Sequence, residues 1–297
     1  HNNMQMLKKY TLYYFALLGI MVLFNSCEKE YESIESVDDA KIQAYLKQNN
    51  LTMTKDPTGF YYQVLDLGTG NVVLNKDSIF FTLNGQSLSG TSYFATSKYT
   101  TEATYLGYVS PDSYRLALQG IKRGGKVRVI LPSHLAYGKN GTAAVPSNEI
   151  ISSVISVYPE ASQIAIDDRF IREFVAEKAI PNVVKSLSRV YYQVLTPGTG
   201  TVVNATSTIT AKYTGRFLNG SIFDQSGTDA VLLGQLNRLV KGYGVLVGMQ
   251  KGAKVRIFIP SDLGYGVSGS IDNSTGTYVI PPNAILDFDI ELTDVTN

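Results

Sequence analysis

The chain has no tryptophan, a single cysteine and only two histidines in 297 residues. A lone cysteine excludes an intramolecular disulfide. His134 is the only histidine beyond the first residue, so a histidine metal cluster or a histidine-based catalytic triad lacks its material. Charge of one sign is also missing: 26 basic and 25 acidic residues leave a net +1, which provides no broad field for nucleic acid. The two Gly-Thr-Gly stretches lack phosphate-loop spacing and read as turns, and no cofactor is expected. What the chain does have is 20 tyrosines, which with its β-branched residues favour half-buried strands.

No apolar run reaches the roughly 20 residues of a membrane-spanning helix. The longest near the N-terminus, Tyr10 to Phe24, follows Lys8 and Lys9 and is closed by Asn25, Ser26 and Cys27. That layout reads as a signal peptide, with a membrane-spanning segment the weaker reading. It resembles a bacterial lipoprotein signal, which implies lipid attachment at Cys27 and a lipoprotein of the outer membrane, facing the periplasm or the exterior. The polar stretch after Cys27 suits a solvated tether.

An internal repeat sets the organisation. Gly59 to Val73 reads GFYYQVLDLGTGNVV and Arg189 to Val203 reads RVYYQVLTPGTGTVV, 130 positions apart. GIKRGGKVRVILPSHLAYG from Gly120 matches GMQKGAKVRIFIPSDLGYG from Gly248 at an offset of 128, and Val145-Pro146 matches Ile280-Pro281 at 135. The second copy therefore carries a longer loop after Tyr265. Each copy opens on a helical signal: Asp38 and Asp39 precede Ile42, Tyr45 and Leu46, and Asp167 and Asp168 precede Ile171, Phe174 and Val175. Acidic residues suit a helix N-terminus, and the apolar spacing gives one buried stripe.

In the second copy, Thr208 to Phe223 alternates and breaks at Asn219-Gly220, a hairpin signal. Leu286, Phe288, Ile290 and Leu292 share one face of a last strand while Asp287, Asp289 and Glu291 share the other, as in a sheet wet on one side. The apolar face needs a cover, and Leu239 to Met249 is long enough for about two helical turns. The fold class is α+β: two tandem domains, each a curved antiparallel sheet wrapped on a short helix and preceded by another.

In order, the second copy contains Tyr213, Gly215, Asn219-Gly220, Phe223-Asp224, Leu239-Val240, Gly242-Tyr243, Gly248-Met249, Lys254 to Ile259, Tyr265-Gly266 and Ile280-Pro281-Pro282. This string resembles the FK506-binding (FKBP-type) family of peptidyl-prolyl cis-trans isomerases over roughly 100 residues. The resemblance implies rotation about the bond before proline, with Tyr213, Phe223, Val240, Tyr243, Ile280 and Phe288 lining the proline pocket and Tyr243 in the usual place of tryptophan. It further implies Asp224 and the Tyr265 hydroxyl near the substrate carbonyl, the Val240 N–H as peptide anchor, and the family's macrolide as a ligand. The chain divides into a lipoprotein signal (1–27), a tether (28–36), a degenerate FKBP-like domain with leading helix (37–160), a linker helix (161–188) and an isomerase domain (189–297).

The first copy departs where the pocket lies. Leu83 replaces Tyr213, Tyr93-Phe94-Ala95 replaces Phe-Asp, Ser147 replaces the second proline and Ser153 replaces Phe288, while the helix-side aromatic falls at Tyr114 or Arg115. Only Tyr137 of the polar pair survives. The expected function is an isomerase assisting the folding of exported, proline-containing polypeptides, held to the membrane by its lipid. The alternative is a non-catalytic lipoprotein that uses both domains to hold polypeptides.

Overall fold

The structure, a computed structural model, describes residues 34–297; the leader and Cys27 lie outside the described residues. Those residues form two compact units, 34–96 with 102–159 and 97–101 with 160–297. Among them no helix is long and apolar enough to cross a membrane.

The first unit begins with helix α1 over 34–48. Its sheet runs β1 (Thr54–Lys55), β2 (Tyr61–Asp66), β8 (Lys126–Leu131), β9 (Ile151–Val157), β4 (Ser78–Gln86) and β5 (Ser92–Ala95), with β6 (Glu102–Tyr105) also on β4. Helix α2 (Asp112–Ala117) covers one face, and β3 (Thr69–Val72) pairs with β7 (Lys122–Arg123). The second unit repeats the plan with helix α3 (Gln163–Glu177), then β10 (Val184–Lys185), β11 (Tyr191–Thr196), β15 (Lys254–Ile259), β18 (Leu286–Thr296), β12 (Thr208–Arg216) and β13 (Ile222–Gln225) across the sheet, and β14 (Val231–Gln235) on β12. Two further strands, β16 (Ser270–Asp272) and β17 (Thr277–Ile280), pair only with each other. Every pairing within both main sheets is antiparallel.

In the second unit the expected cover of the apolar face is a 3-10 turn, Lys241–Leu246, rather than an α-helix. Gly242 and Gly244 disfavour α-helix in its middle. Gly242 also has to be bare, since a side chain there would come within 2.4 Å of Ile259. The concave core is made by Ile209, Ala211, Ile257, Ile259, Phe288, Ile290 and Leu292.

The paired aspartates do not begin their helices. The α3 cap is Ser162, whose hydroxyl accepts the Ala165 N–H at 3.2 Å, and Asp167 and Asp168 follow in its second turn. There they dock the helix. Asp167 accepts the Ser261 N–H at 2.8 Å, and Asp38 accepts the Ser133 N–H at 2.9 Å in the first unit. Burial pushes the Asp167 carboxyl above its ordinary value against those bonds. Asp168 meets Tyr191 Oη at 2.7 Å, Lys185 Nζ at 2.8 Å and Arg172 Nε at 3.1 Å.

The outer face of the second sheet is therefore not simply wet. Phe174 of α3 packs on Phe258 with ring centroids 5.8 Å apart. Asp287, expected on the polar face, is only 1% exposed. Arg256 holds it with two hydrogen bonds of 2.9 and 2.8 Å, and Arg216 adds a longer one.

The helix clamp carries a pH signature. Burial pushes the Asp168 carboxyl up, but hydrogen bonds from Lys185, Tyr191 and Arg172 outweigh it and leave it below its ordinary 3.8. A carboxyl that is a stronger acid when folded stabilises above its unfolded value and loses that contribution as pH falls. Asp168→Asn is expected to lower the stability of the chain by about 1–3 kcal/mol at pH 7. In urea denaturation the gap to the parent should close as pH drops below 3.8; an equal gap at acid and neutral pH contradicts this account.

Candidate active site

Strand β12 alternates, so Ala211, Tyr213 and Gly215 face the concave side together, and Phe217, the residue after its end, continues on that side. Across from it, β13 carries a bulge: Gly215 pairs with Asp224 and Arg216 with Ile222, leaving Phe223 as the extra residue. A bulge re-aims side chains, and here it directs both Phe223 and Asp224 inward. Strand β18 supplies Phe288, opposite Gly215 on the other side. Glycine is required at 215. A side chain there would meet Phe288 at 2.6 Å and Phe223 at 2.7 Å.

Phe288 is the hub. Its ring stands 5.5 Å from Phe223 and edge-on, 5.3 Å from Tyr243 and 6.4 Å from Tyr213. Tyr243 enters from the 3-10 turn and is buried, as is Ile280 at the end of β17. Half-buried Val240 caps the turn: its carbonyl accepts the Tyr243 N–H at 3.0 Å, and no acceptor among the described residues takes its own N–H. All eight residues expected at the site border this one concave face or its rim.

The polar groups are few and neutral apart from one carboxylate. Tyr213 donates its hydroxyl to Asp224 at 2.8 Å. Burial first, and then that bond, pushes the Tyr213 phenol up to about 12. Burial also raises Tyr243 and Tyr265, and the charge of Asp224 acts in the same direction on both. All three phenols keep their protons at neutral pH. The face therefore offers hydroxyl donors, a free N–H and aromatic walls, but no phenol ready to exchange a proton.

Two contributors escaped the sequence reading. Phe217 packs on Phe223 as a tilted pair with centroids 5.0 Å apart, and its position one residue past β12, in phase with the strand's alternation, is the available signal. Ser226 accepts the Tyr213 N–H at 3.0 Å and fixes the hairpin; nothing in a lone serine marks it in advance.

The first unit presents the same frame differently filled. Leu83 pairs with Ile155 as Tyr213 pairs with Ile290. Phe94 pairs with Gly85 in the register of Asp224, and its ring occupies the space over Gly85. Phe94 also meets Tyr137 edge-on at 6.4 Å. The helix-side aromatic is Tyr114, buried, with its hydroxyl 2.7 Å from that of Ser153. Burial pushes the Tyr114 phenol up to about 12. Tyr93 turns to Glu149 at 2.9 Å.

A family model described as FKBP-type peptidyl-prolyl cis-trans isomerase matches the chain twice, over residues 72–155 and 200–293. The chain belongs to that family. A probable FKBP-type peptidyl-prolyl cis-trans isomerase of Haemophilus influenzae is 34% identical over 132 residues, 43% of this chain and 50% of the relative. FkpA of Escherichia coli K12 is 33% identical over 125 residues, 41% of this chain and 43% of the relative. A crystal structure of a peptidyl-prolyl cis-trans isomerase from Pseudomonas syringae shares 36% identity, covering 46% of this chain and 98% of that one, with a TM-score of 0.38. The chain spans about half or less of the length of these curated relatives.

The close packing at Gly215 makes a direct test. Gly215→Ala has to push apart two rings that are themselves held by neighbours, and overpacking of this kind costs about 1–3 kcal/mol. Denaturant titration should show that loss; an unchanged midpoint means the rings move freely and the site is looser than described.

Proposed function

We propose that the chain is a peptidyl-prolyl cis-trans isomerase whose activity resides in the second unit and serves exported polypeptides. The supporting observation is the ring cluster around Phe288, set over a bare backbone at Gly215 and carrying only one carboxylate. Rotation about the bond before proline breaks no covalent bond. Its barrier of about 18–20 kcal/mol reflects lost amide resonance, so neither nucleophile nor proton donor is required. The planar amide is the more dipolar form and loses more on leaving water. A dry aromatic pocket therefore favours the twisted state, and only such preferential binding accelerates the step.

In this reading the proline ring enters among Tyr213, Phe223, Tyr243, Ile280 and Phe288. The Val240 N–H holds a carbonyl of the peptide, and the Tyr265 hydroxyl donates to another acceptor at the rim. Asp224, oriented by Tyr213, contributes a fixed negative charge beside the rotating carbonyl carbon. The same pocket would take the family's macrolide. The first unit serves as a binding or spacing module, because Phe94 fills its pocket face from within and Ser153 removes the central ring. A lipid on Cys27 would tether the protein to the outer membrane.

An acceleration of 10⁴ corresponds to about 5.5 kcal/mol of preference for the twisted state. Phe288→Ala or Phe223→Ala in the full chain should reduce kcat/KM on a proline tetrapeptide by about 100-fold or more in a protease-coupled assay. Truncating a buried Phe costs about 3–5 kcal/mol of packing, and stability should be measured alongside to set that loss apart. Asp224→Asn should cost less, and Tyr93→Ala in the first unit should leave the rate unchanged. Activity that survives both Phe changes but vanishes in Asp224→Asn would require an acid-dependent mechanism. An inactive parent chain would favour the polypeptide-holding alternative.

The anchor has its own test. Mass analysis of membrane-extracted protein should find a lipid-modified Cys27 at a new N-terminus, and Cys27→Ala should leave the protein soluble or unprocessed. A water-soluble product cut elsewhere would remove the lipoprotein assignment.

A further inference from the structure

The longer loop of the second copy is a β-hairpin built on an unchanged base. In the first unit the Gly141 N–H donates to the Tyr137 carbonyl at 3.2 Å and the Asn148 N–H to the Gly138 carbonyl at 2.9 Å. In the second, Gly269 donates to Tyr265 at 3.2 Å and Asn283 to Gly266 at 2.9 Å. Between Gly141 and Val145 stand residues 142–144, whereas between Gly269 and Ile280 stand residues 270–279. All the additional chain is thus β16, β17 and their turn. The hairpin rises from Tyr265 and returns at Ile280, two residues of the pocket.

What it displays is apolar. Ile271 and Tyr278 are directly opposed across the hairpin and are 48% and 53% exposed, and Val267, in the turn that leads into β16, is 77% exposed. None of the three belongs to the core of the unit. Asp272, the one charged residue between Tyr265 and Ile280, is turned into its own loop, accepting from the Ser274 N–H at 2.9 Å. Among the described residues neither outer edge of the two-stranded ribbon has a strand partner, and an open edge is a template for an added strand.

We propose that this hairpin is a ledge that binds an extended, apolar segment of unfolded polypeptide next to the proline held in the pocket. The inference rests on the isomerase reading of that pocket. Continuity selects the occupant: Ile280 ends β17 and lines the pocket, so a chain crossing the pocket runs onto the hairpin. Charge argues against an anionic lipid surface, since no lysine or arginine occurs between Ile257 and the last residue, and such surfaces are recognised by basic clusters. Holding a client at two adjacent places raises the effective concentration of its proline at the pocket.

The test exchanges residues 270–279 of the full chain for the Thr-Ala-Ala of residues 142–144, which the shared base bonds accommodate. A second variant, Ile271→Ser with Tyr278→Ser, keeps the hairpin and removes its apolar pair. Binding of a labelled, reduced and carboxymethylated protein is followed by fluorescence anisotropy, and turnover of a proline tetrapeptide is measured in parallel. Both variants should bind the unfolded chain about tenfold or more weakly while turning over the tetrapeptide within about twofold of the parent. Unchanged binding overturns the ledge. So does tetrapeptide turnover that falls together with binding, because the hairpin would then act by shaping the pocket, and so does a parent dimer that both variants convert to monomer with binding intact. A parent chain without tetrapeptide turnover defeats the isomerase reading alone, and the ledge is then decided by the binding comparison.

Discussion

One ring, Phe288, carries the arrangement of the site. It touches the rings of Tyr213, Phe223 and Tyr243 and lies against the bare backbone of Gly215. Aromatic rings packed edge-on or tilted gain somewhat more than their buried area provides, but only if each is held still. The restraint comes from both sides of the strand. Asp287 points to the opposite face and is gripped by Arg216 and Arg256, and these come from the two strands that flank β18. An ion cluster this buried is a poor source of net stability, since desolvation offsets much of the attraction. Its value lies in register. A slip of one residue would expose Phe288 and bury Asp287 unpaired, so the cluster penalises every misalignment of the strand that carries the pocket.

The first unit shows what the same frame does without that ring. With serine at position 153, the nearest aromatic, Tyr114, turns its hydroxyl to the serine, and Phe94 moves over Gly85 to fill the remaining space. The sheet order and the helix clamp survive together: Asp38 on Ser133 and Asp39 on Tyr61 repeat Asp167 on Ser261 and Asp168 on Tyr191. Fold and pocket are thus separable in this chain. Convex-face docking and backbone pairing hold the domain, whereas the concave face can be emptied or filled without disturbing either.

Much of this was legible because the chain is written twice. The repeat, the alternation of Thr208 to Phe223 and the ordered motif string mark the strands and name eight residues that the fold brings to one concave face or its rim. What stayed hidden depends on contacts far apart in sequence. Asp167 looks like a helix-capping residue because acids favour first turns, but its partner, Ser261, is 94 residues away and leaves no local trace. The helix in which it lies then covers the outer face of the sheet, so Asp287 of β18 is buried where the alternation alone predicts a solvated acid. Tyr114 could not be told from Arg115 because loop lengths between the copies differ. The position of Phe94 was equally unreadable, since a bulge shifts by one residue which side chain faces inward. The glycines of the 3-10 turn were visible, but the close approach to Ile259 that demands one of them was not.

The hairpin of the second unit fits the same logic. Extending a loop whose two ends are already held together adds little closure entropy, because that cost grows only with the logarithm of length. Ten residues in place of three are therefore nearly neutral for folding, provided the hydrogen bonds at the base persist, and they do. With stability scarcely involved, the composition of the added strands has to be explained by what they meet outside the domain. A purely structural extension would carry polar residues on a two-stranded ribbon that is open at both edges, since exposed apolar edges invite association. Ile271 and Tyr278 do the opposite at the rim of the aromatic pocket, and under the proposed isomerase reading a polypeptide held there is the partner for which such exposure makes physical sense.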